Sequence, residues 1–177
     1  METIKPKAKV YIDGANMFYS QKKLGWFIDW KKVKDYLKER WDIIEIRYYI
    51  GVKSGDEKMS KFLRYLDNIG FKPITKPLKE IKITQDDLKF KIYPYPQIYK
   101  CNFDIEMITD ILLDRTQLDQ ILLFSGDSDF TYLVKTLRDL GKDVIVFSTR
   151  KMIAWELKLV ARKYIFLEDL KEEIERK

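Results

Sequence analysis

A chain of 177 residues with 46% hydrophobic and 35% charged side chains has the length and apolar content of one soluble domain, with no need of staples or a second domain. Its lone cysteine, Cys101, excludes an internal disulfide and a cysteine-held zinc. The complete absence of histidine excludes His-based triads, His-liganded zinc and RNA cleavage that relays protons between two histidines. A net charge of +6, from 34 Lys and Arg against 28 Asp and Glu, favours a polyanionic partner, although many basic proteins bind no nucleic acid.

Residues 1–7 lack the apolar core of a secretion signal and no apolar run approaches 18 residues, so a cytoplasmic protein with no membrane span is expected. Residues 9–12 read as a short strand, broken at once by the turn and cap residues Asp13, Gly14, Ala15 and Asn16. Trp30, Val33, Tyr36 and Leu37 recur at helical spacing and predict a surface helix over 30–40. Residues 43–50, β-branched and aromatic, predict a second strand closed by Gly51. Met59, Phe62, Leu63 and Leu66 predict a helix over 57–69 that Gly70 ends. Residues 71–78 read as a strand, and Pro73 and Pro77 confine it to an edge.

Between 71 and 100 seven lysines alternate with Phe90, Tyr93, Tyr95 and Tyr99. This basic, aromatic insertion, an exposed loop or hairpin, suits either of two roles. It could stack bases and track a phosphate backbone, with Tyr93 and Tyr95 as substrate contacts, or its tyrosines could simply pack an irregular extension.

The chain then turns acidic. Residues 102–130 hold seven acids against Arg115 alone, which leaves 33 bases against 21 acids, or +12, elsewhere. Ile105, Ile108, Ile111 and Leu112 predict a helix over 104–113 whose Glu106, Asp110 and Asp114 form one stripe, read as a solvated face. Asp110 lies about 240° around such a helix from Asp104, so both serve one site only if Asp104 is a cap. Residues 121–124 form an apolar strand that ends in Ser125, Gly126, Asp127, Ser128 and Asp129. Further elements follow in the same alternation: a helix over 128–140 stopped by Gly141, a strand over 143–147, a helix over 152–162, a strand over 164–167 and a charged helix over 168–177. Strands alternating with helices imply one α/β domain over 1–177, a three-layer α/β/α sandwich around a mainly parallel sheet.

In a parallel sheet the loops that carry Asp13, Asp104, Asp127 and Asp129 reach one edge. Several carboxylates there cannot all stay ionised in a poorly solvated cleft without a cation. With oxygen ligands only, Mg²⁺ or Mn²⁺ is the chemical expectation, and phosphodiester hydrolysis the reaction class.

Three segments together carry a resemblance: Tyr11-Ile12-Asp13-Gly14-Ala15-Asn16, Cys101-Asn102-Phe103-Asp104-Ile105-Glu106 with Asp110, and Ser125-Gly126-Asp127-Ser128-Asp129-Phe130 followed by Gly141-Lys142-Asp143-Val144. They resemble the NYN domain family of PIN-like nucleases, in particular its LabA-like bacterial branch, over nearly the whole chain. The resemblance implies a PIN-like sandwich and a Mg²⁺- or Mn²⁺-dependent endoribonuclease acting on single-stranded RNA. It places Asp13, Asp104, Asp127 and Asp129 as metal-binding acids and Asn16 as the adjacent polar residue. Asp110 matches a position that is also commonly acidic, and Asn16, Ser125 and Ser128 are expected to contact substrate. Cys101 stands where small residues are frequent, Ile153-Ala154-Trp155-Glu156 replaces a Ser-containing turn, and Arg162-Lys163 stands where an acid is common. These departures bear on substrate contacts more than on metal.

A haloacid-dehalogenase-type phosphatase would need an Asp where Ala15 stands. A non-catalytic regulator that binds RNA or protein on the same fold stays open, as does the oligomeric state, homo-oligomer included.

Overall fold

The computed structural model describes residues 4–82 and 97–177. Six parallel strands, β1 (Lys7–Asp13), β2 (Asp42–Val52), β3 (Lys72–Pro77), β6 (Gln120–Phe124), β7 (Asp143–Ser148) and β8 (Lys163–Phe166), form the central sheet in the order β3-β2-β1-β6-β7-β8. A separate antiparallel pair, β4 (Lys79–Lys82) with β5 (Gln97–Lys100), is what the structure describes of the basic insertion. Tyr93 and Tyr95 lie outside the described residues. The edge position expected for 71–78 is the one β3 occupies, paired to β2 alone, where Pro73 and Pro77 interrupt no inner ladder.

Alternate residues of the inner strands feed two cores, which is why these strands read as continuous apolar runs. Ala8, Val10, Ile12, Leu122, Phe124, Ile145 and Phe147 point to one face. There they meet Met17 of α1 (Gly14–Leu24), Trp30, Val33 and Leu37 of α2 (Trp30–Arg40), Leu66 of α3 (Glu57–Asn68), and Leu170 and Ile174 at the carboxyl end. Phe124 and Phe147 stack at 4.3 Å between ring centroids, with the Trp30 ring edge-on to Phe124 at 6.2 Å. Tyr11, Tyr49, Ile121, Leu123, Val144 and Val146 point to the other face. They pack on Met107 and Ile111 of α4 (Asp104–Asp114), Leu133 and Leu137 of α5 (Thr131–Asp139), and Leu157 of α6 (Trp155–Val160). The result is the three-layer α/β/α sandwich. Among the described residues no helix is long and apolar enough to cross a membrane.

Four elements differ from their sequence expectation. The segment after Asp13 is helical, as α1. The helix expected over 128–140 begins as a 3₁₀ turn, Ser128–Phe130, before α5. The helix expected over 152–162 shortens to α6, because the Ile153 N–H closes a turn on the Thr149 carbonyl and the Ala154 N–H donates to the Gly126 carbonyl at 2.8 Å. The charged carboxyl end is a 3₁₀ turn, Leu167–Leu170, and the single-turn α7 (Lys171–Ile174).

The acidic stripe of α4 is not solvated. Lys76 of β3 reaches Glu106 at 2.6 Å, Arg47 of β2 reaches both Asp110 and Asp114 at 3.1 Å, and Lys9 of β1 reaches Asp114 at 3.0 Å. Tyr49 and Tyr11 donate their hydroxyls to Asp110 and Asp114 at 2.6 and 2.8 Å. Burial raises the Asp114 carboxyl, but Lys9, Tyr11 and Arg47 lower it further, and it ends below the usual carboxylate range. The stripe is therefore an ion-paired seam that fastens α4 to three strands.

Candidate active site at the carboxyl edge of the sheet

Strand β1 ends at Asp13, whose side chain caps α1: Oδ1 accepts the Asn16 N–H at 3.0 Å. Its Oδ2 accepts the Ser125 hydroxyl at 3.1 Å, which ties the end of β1 to the end of the neighbouring strand β6. Ser125 Oγ in turn accepts the Asp127 N–H at 3.2 Å, and the Gly126 N–H donates to Asn16 Oδ1 at 3.1 Å. Asp127 caps the following 3₁₀ turn by accepting the Asp129 N–H at 3.0 Å. On the far side of the edge Asp104 opens α4, gripped by Asn102. The Asp104 N–H donates to Asn102 Oδ1 at 2.7 Å, and Asn102 Nδ2 donates to Asp104 Oδ2 at 2.6 Å.

This arrangement makes the acids costly to ionise. Burial raises the Asp13 carboxyl above its ordinary value, and the charges of Asp104 and Asp127 add to the rise, against the lowering bonds from Asn16 and Ser125. Burial likewise raises Asp104, with Asp127, Asp129 and Glu106 adding and Asn102 opposing. Asp13, Asp104, Asp127 and Asp129 thus share one field at the sheet edge. The side chains nonetheless turn to their own protein partners, and among the described residues no three acids or thiols form a preformed metal cage. The donor set suits a hard cation that keeps most of its water and takes only one or two carboxylates, as Mg²⁺ does.

Several expected site residues are placed otherwise. Asp110 is not at this edge: Asp104 is the first helical residue of α4 and Phe103 the cap, so the helical turn carries Asp110 to Tyr49 and Arg47. Ser125 is fully buried and orients Asp13 and Asp127, which leaves it no surface for substrate. Ser128 and Asp129 are exposed beside Asp127. Asn102, which holds Asp104, is a site residue that the sequence analysis did not single out. Its signal was present in an Asn two positions ahead of a helix-opening acid, the spacing of a side-chain turn.

Gly126 allows the loop to close. A Cβ there would lie 2.4 Å from the Met152 carbonyl oxygen and 2.5 Å from Ser148 Oγ. Gly126→Ala must push the β6 loop away from the turn before α6, at a cost of about 1–3 kcal/mol as for other overpacked positions. Urea denaturation is expected to show that loss, and the Asn16–Gly126 bond shifts with the loop.

Comparison with known proteins agrees with this architecture. The NYN domain profile matches residues 7–168. The chain is 35% identical over 169 residues to the low amplitude and bright protein LabA of Synechococcus elongatus, covering 94% of this chain and 87% of LabA. In structure it is similar to VPA0982 of Vibrio parahaemolyticus, a protein of unknown function, with a TM-score of 0.77 over 99% of both chains at 19% identity. On the matched segment, which takes in both Asp13 and Asp129, this chain belongs to the NYN domain family.

Proposed function

We propose that this protein is a Mg²⁺- or Mn²⁺-dependent ribonuclease that hydrolyses single-stranded RNA at the carboxyl edge of its sheet. The observation that carries the reading is the hydrogen-bonded chain from Asn16 through Gly126 and from Asp13 through Ser125 to Asp127. It ties the ends of two neighbouring strands together, while Asn102 separately holds Asp104 at the start of α4, and burial and repulsion raise Asp13 and Asp104 above their ordinary values. Family membership supports the same reading.

Asp13, Asp104 and Asp127 would hold the ion, one or two of them directly and the rest through its own water, and when bound it supplies a water of lowered pKa and neutralises charge at a phosphoryl oxygen. The protein's own part is positioning. Ser125 holds the Asp13 carboxylate and the Asp127 backbone N–H, Asn102 fixes Asp104, and Asn16 ties the start of α1 to the loop after β6 and would present a neutral amide to a phosphate. Asp129, exposed next to Asp127, is placed to accept a proton from water or to orient it.

A cation that binds only the folded state raises its stability by RT ln(1 + [L]/Kd), about 2.7 kcal/mol at a hundredfold excess over Kd. Mn²⁺ is therefore expected to raise the melting temperature of the parent and not that of Asp127→Asn, which differential scanning fluorimetry would show. Equal shifts in both proteins would remove Asp127 from the ligand set.

A further inference from the structure

A cleft of ≈ 260 Å³ opens between the end of α1 and the turns after β7 and β8, lined by Lys23, Trp26, Thr149, Lys151, Glu168 and Lys171, with Leu24 beneath. It opens at the same carboxyl edge as the acids, because Thr149 follows β7 and Ser148 at the end of β7 abuts Gly126. Three lysines against one acid make its lining positive. Lys23 and Lys151 form no ion pair among the described residues, and Lys171 reaches only Glu175 at 3.8 Å. Glu168 accepts the Arg150 N–H on Oε1 at 2.9 Å, while its Oε2 is buried with no partner.

Those features describe a ligand. The lysines want negative charge and Trp26 offers part of an aromatic face. A bare inorganic anion supplies only the first. A nucleotide supplies both, through its phosphate and its base.

The way from the acids to this cleft runs along α1. Asn16, Tyr19 and Lys23 stand at i, i+3 and i+7 and so share a helix face, and Asn16 is the residue bonded into the acidic edge. Tyr19 is 56% exposed and its ring is braced edge-on by Phe18 at 5.5 Å, with Lys22 Nζ 5.6 Å from the ring centre. The rise from Asn16 to Lys23 is about 10 Å, a length that a single strand covers in a few nucleotides.

We infer that the Lys23–Lys151–Lys171 cleft is a second nucleotide-binding site, which takes a nucleotide of the same RNA strand a few positions from the bond held at Asp13, with Tyr19 stacking a base between. The inference rests on the ribonuclease reading and adds to it a direction for the strand and a minimum substrate length.

The test is binding of a fluorescent single-stranded RNA of about ten nucleotides, a length within the usual range of single-strand sites, measured in chelator so that nothing is cut. The parent is compared with K23A/K151A/K171A and with K31A/K58A/K135A, which removes as much charge from exposed lysines on α2, α3 and α5. The cleft variant should bind at least about tenfold more weakly, and the slope of log K against log salt should fall by about 2, since each phosphate contact on a single strand contributes roughly 0.7. The control variant should lose much less. Cleavage of a dinucleotide, too short to reach the cleft, should be the same in parent and cleft variant. A 4-thiouridine photocrosslink to Trp26 or Tyr19 in the unmutated protein gives an independent readout should the triple variant fold poorly. Equal losses in both variants, or crosslinks mapping away from α1 and the cleft, overturn the inference and leave the ribonuclease reading standing. A parent that binds no RNA overturns both.

Discussion

Asp13→Asn is expected to cut metal-dependent RNA cleavage by on the order of 10³, equivalent to about 4 kcal/mol of transition-state stabilisation, while leaving the fold intact or more stable. The two effects separate because they arise from different atoms. Asn caps a helix as well as Asp, so the bond from the Asn16 N–H survives, and Ser125 Oγ can accept as readily as it donates. The negative charge is what disappears. Burial and the nearby Asp104 and Asp127 hold the Asp13 carboxyl above its ordinary value, so its ionised form works against folding at neutral pH. For an acid raised on folding, that cost is absent below the unfolded pKa near 4 and reaches its full size above the folded one. The melting temperature in chelator should therefore be equal or higher for Asp13→Asn at pH 7, with no gain at pH 4. Cleavage within a few-fold of the parent would take Asp13 out of the chemistry.

Arg47→Met should destabilise the protein through the ion-paired seam on the other face of the sheet. It strips the guanidinium from Asp110, Asp114 and Glu45, leaving Asp114 with Lys9, Glu45 with Lys9 and Lys72, and Asp110 with the Tyr49 hydroxyl. Removing one cation from a partly exposed network whose acids keep other partners costs less than breaking a fully buried pair, about 1–3 kcal/mol, and for a domain of this size that is several °C in Tm. The size of the loss should depend on pH. Glu45 is raised by burial but lowered further by Arg47, Lys72 and Lys9, and Asp114 likewise ends below its ordinary value. Depressed acids lend stability above their unfolded pKa and lose it as pH falls through the folded one. The parent should thus lose more stability than Arg47→Met on going from pH 7 to about pH 2, below the ordinary carboxylate range, and the gap between them should narrow. A gap of constant size in urea titrations at both pH values would assign the loss to packing of the Arg47 stem instead.

The alternation of strands and helices, the edge position of β3 and the stops at Gly70 and Gly141 were legible because each rests on local pattern. Both glycines sit at positive φ, 78° and 75°, just past their helices. Asp13, Asp104 and Asp127 were legible for a similar reason, standing where an apolar run or a helix boundary meets a turn. The α4 stripe was not. Its partners Lys9, Arg47 and Lys76 come from three strands far away in sequence, and helical periodicity says which residues share a face without saying what faces them. Helix α1 was missed because it has almost no apolar stripe. It rests on the sheet through Gly14, Met17 and Ser20, and a Cβ on Gly14 would lie 2.5 Å from the Tyr49 carbonyl oxygen, so the close contact that positions Asp13 and Asn16 is made by small residues. Ser125 looked like a substrate contact for want of any sign that its hydroxyl was already engaged on both sides.

The central claim is hydrolysis by a water molecule and not by the RNA's own 2′-hydroxyl, whose activation usually needs a base and an acid with pKa near neutrality and would find no histidine here. The most direct measurement is end-group analysis of the products from a labelled single-stranded RNA incubated with the purified protein and Mn²⁺. In-line attack of water predicts 5′-phosphate and 3′-hydroxyl ends that vanish in EDTA. Cyclic 2′,3′-phosphate ends, or cleavage that survives EDTA, would contradict the mechanism, and no cleavage of any RNA would leave the chain a binding protein on this fold.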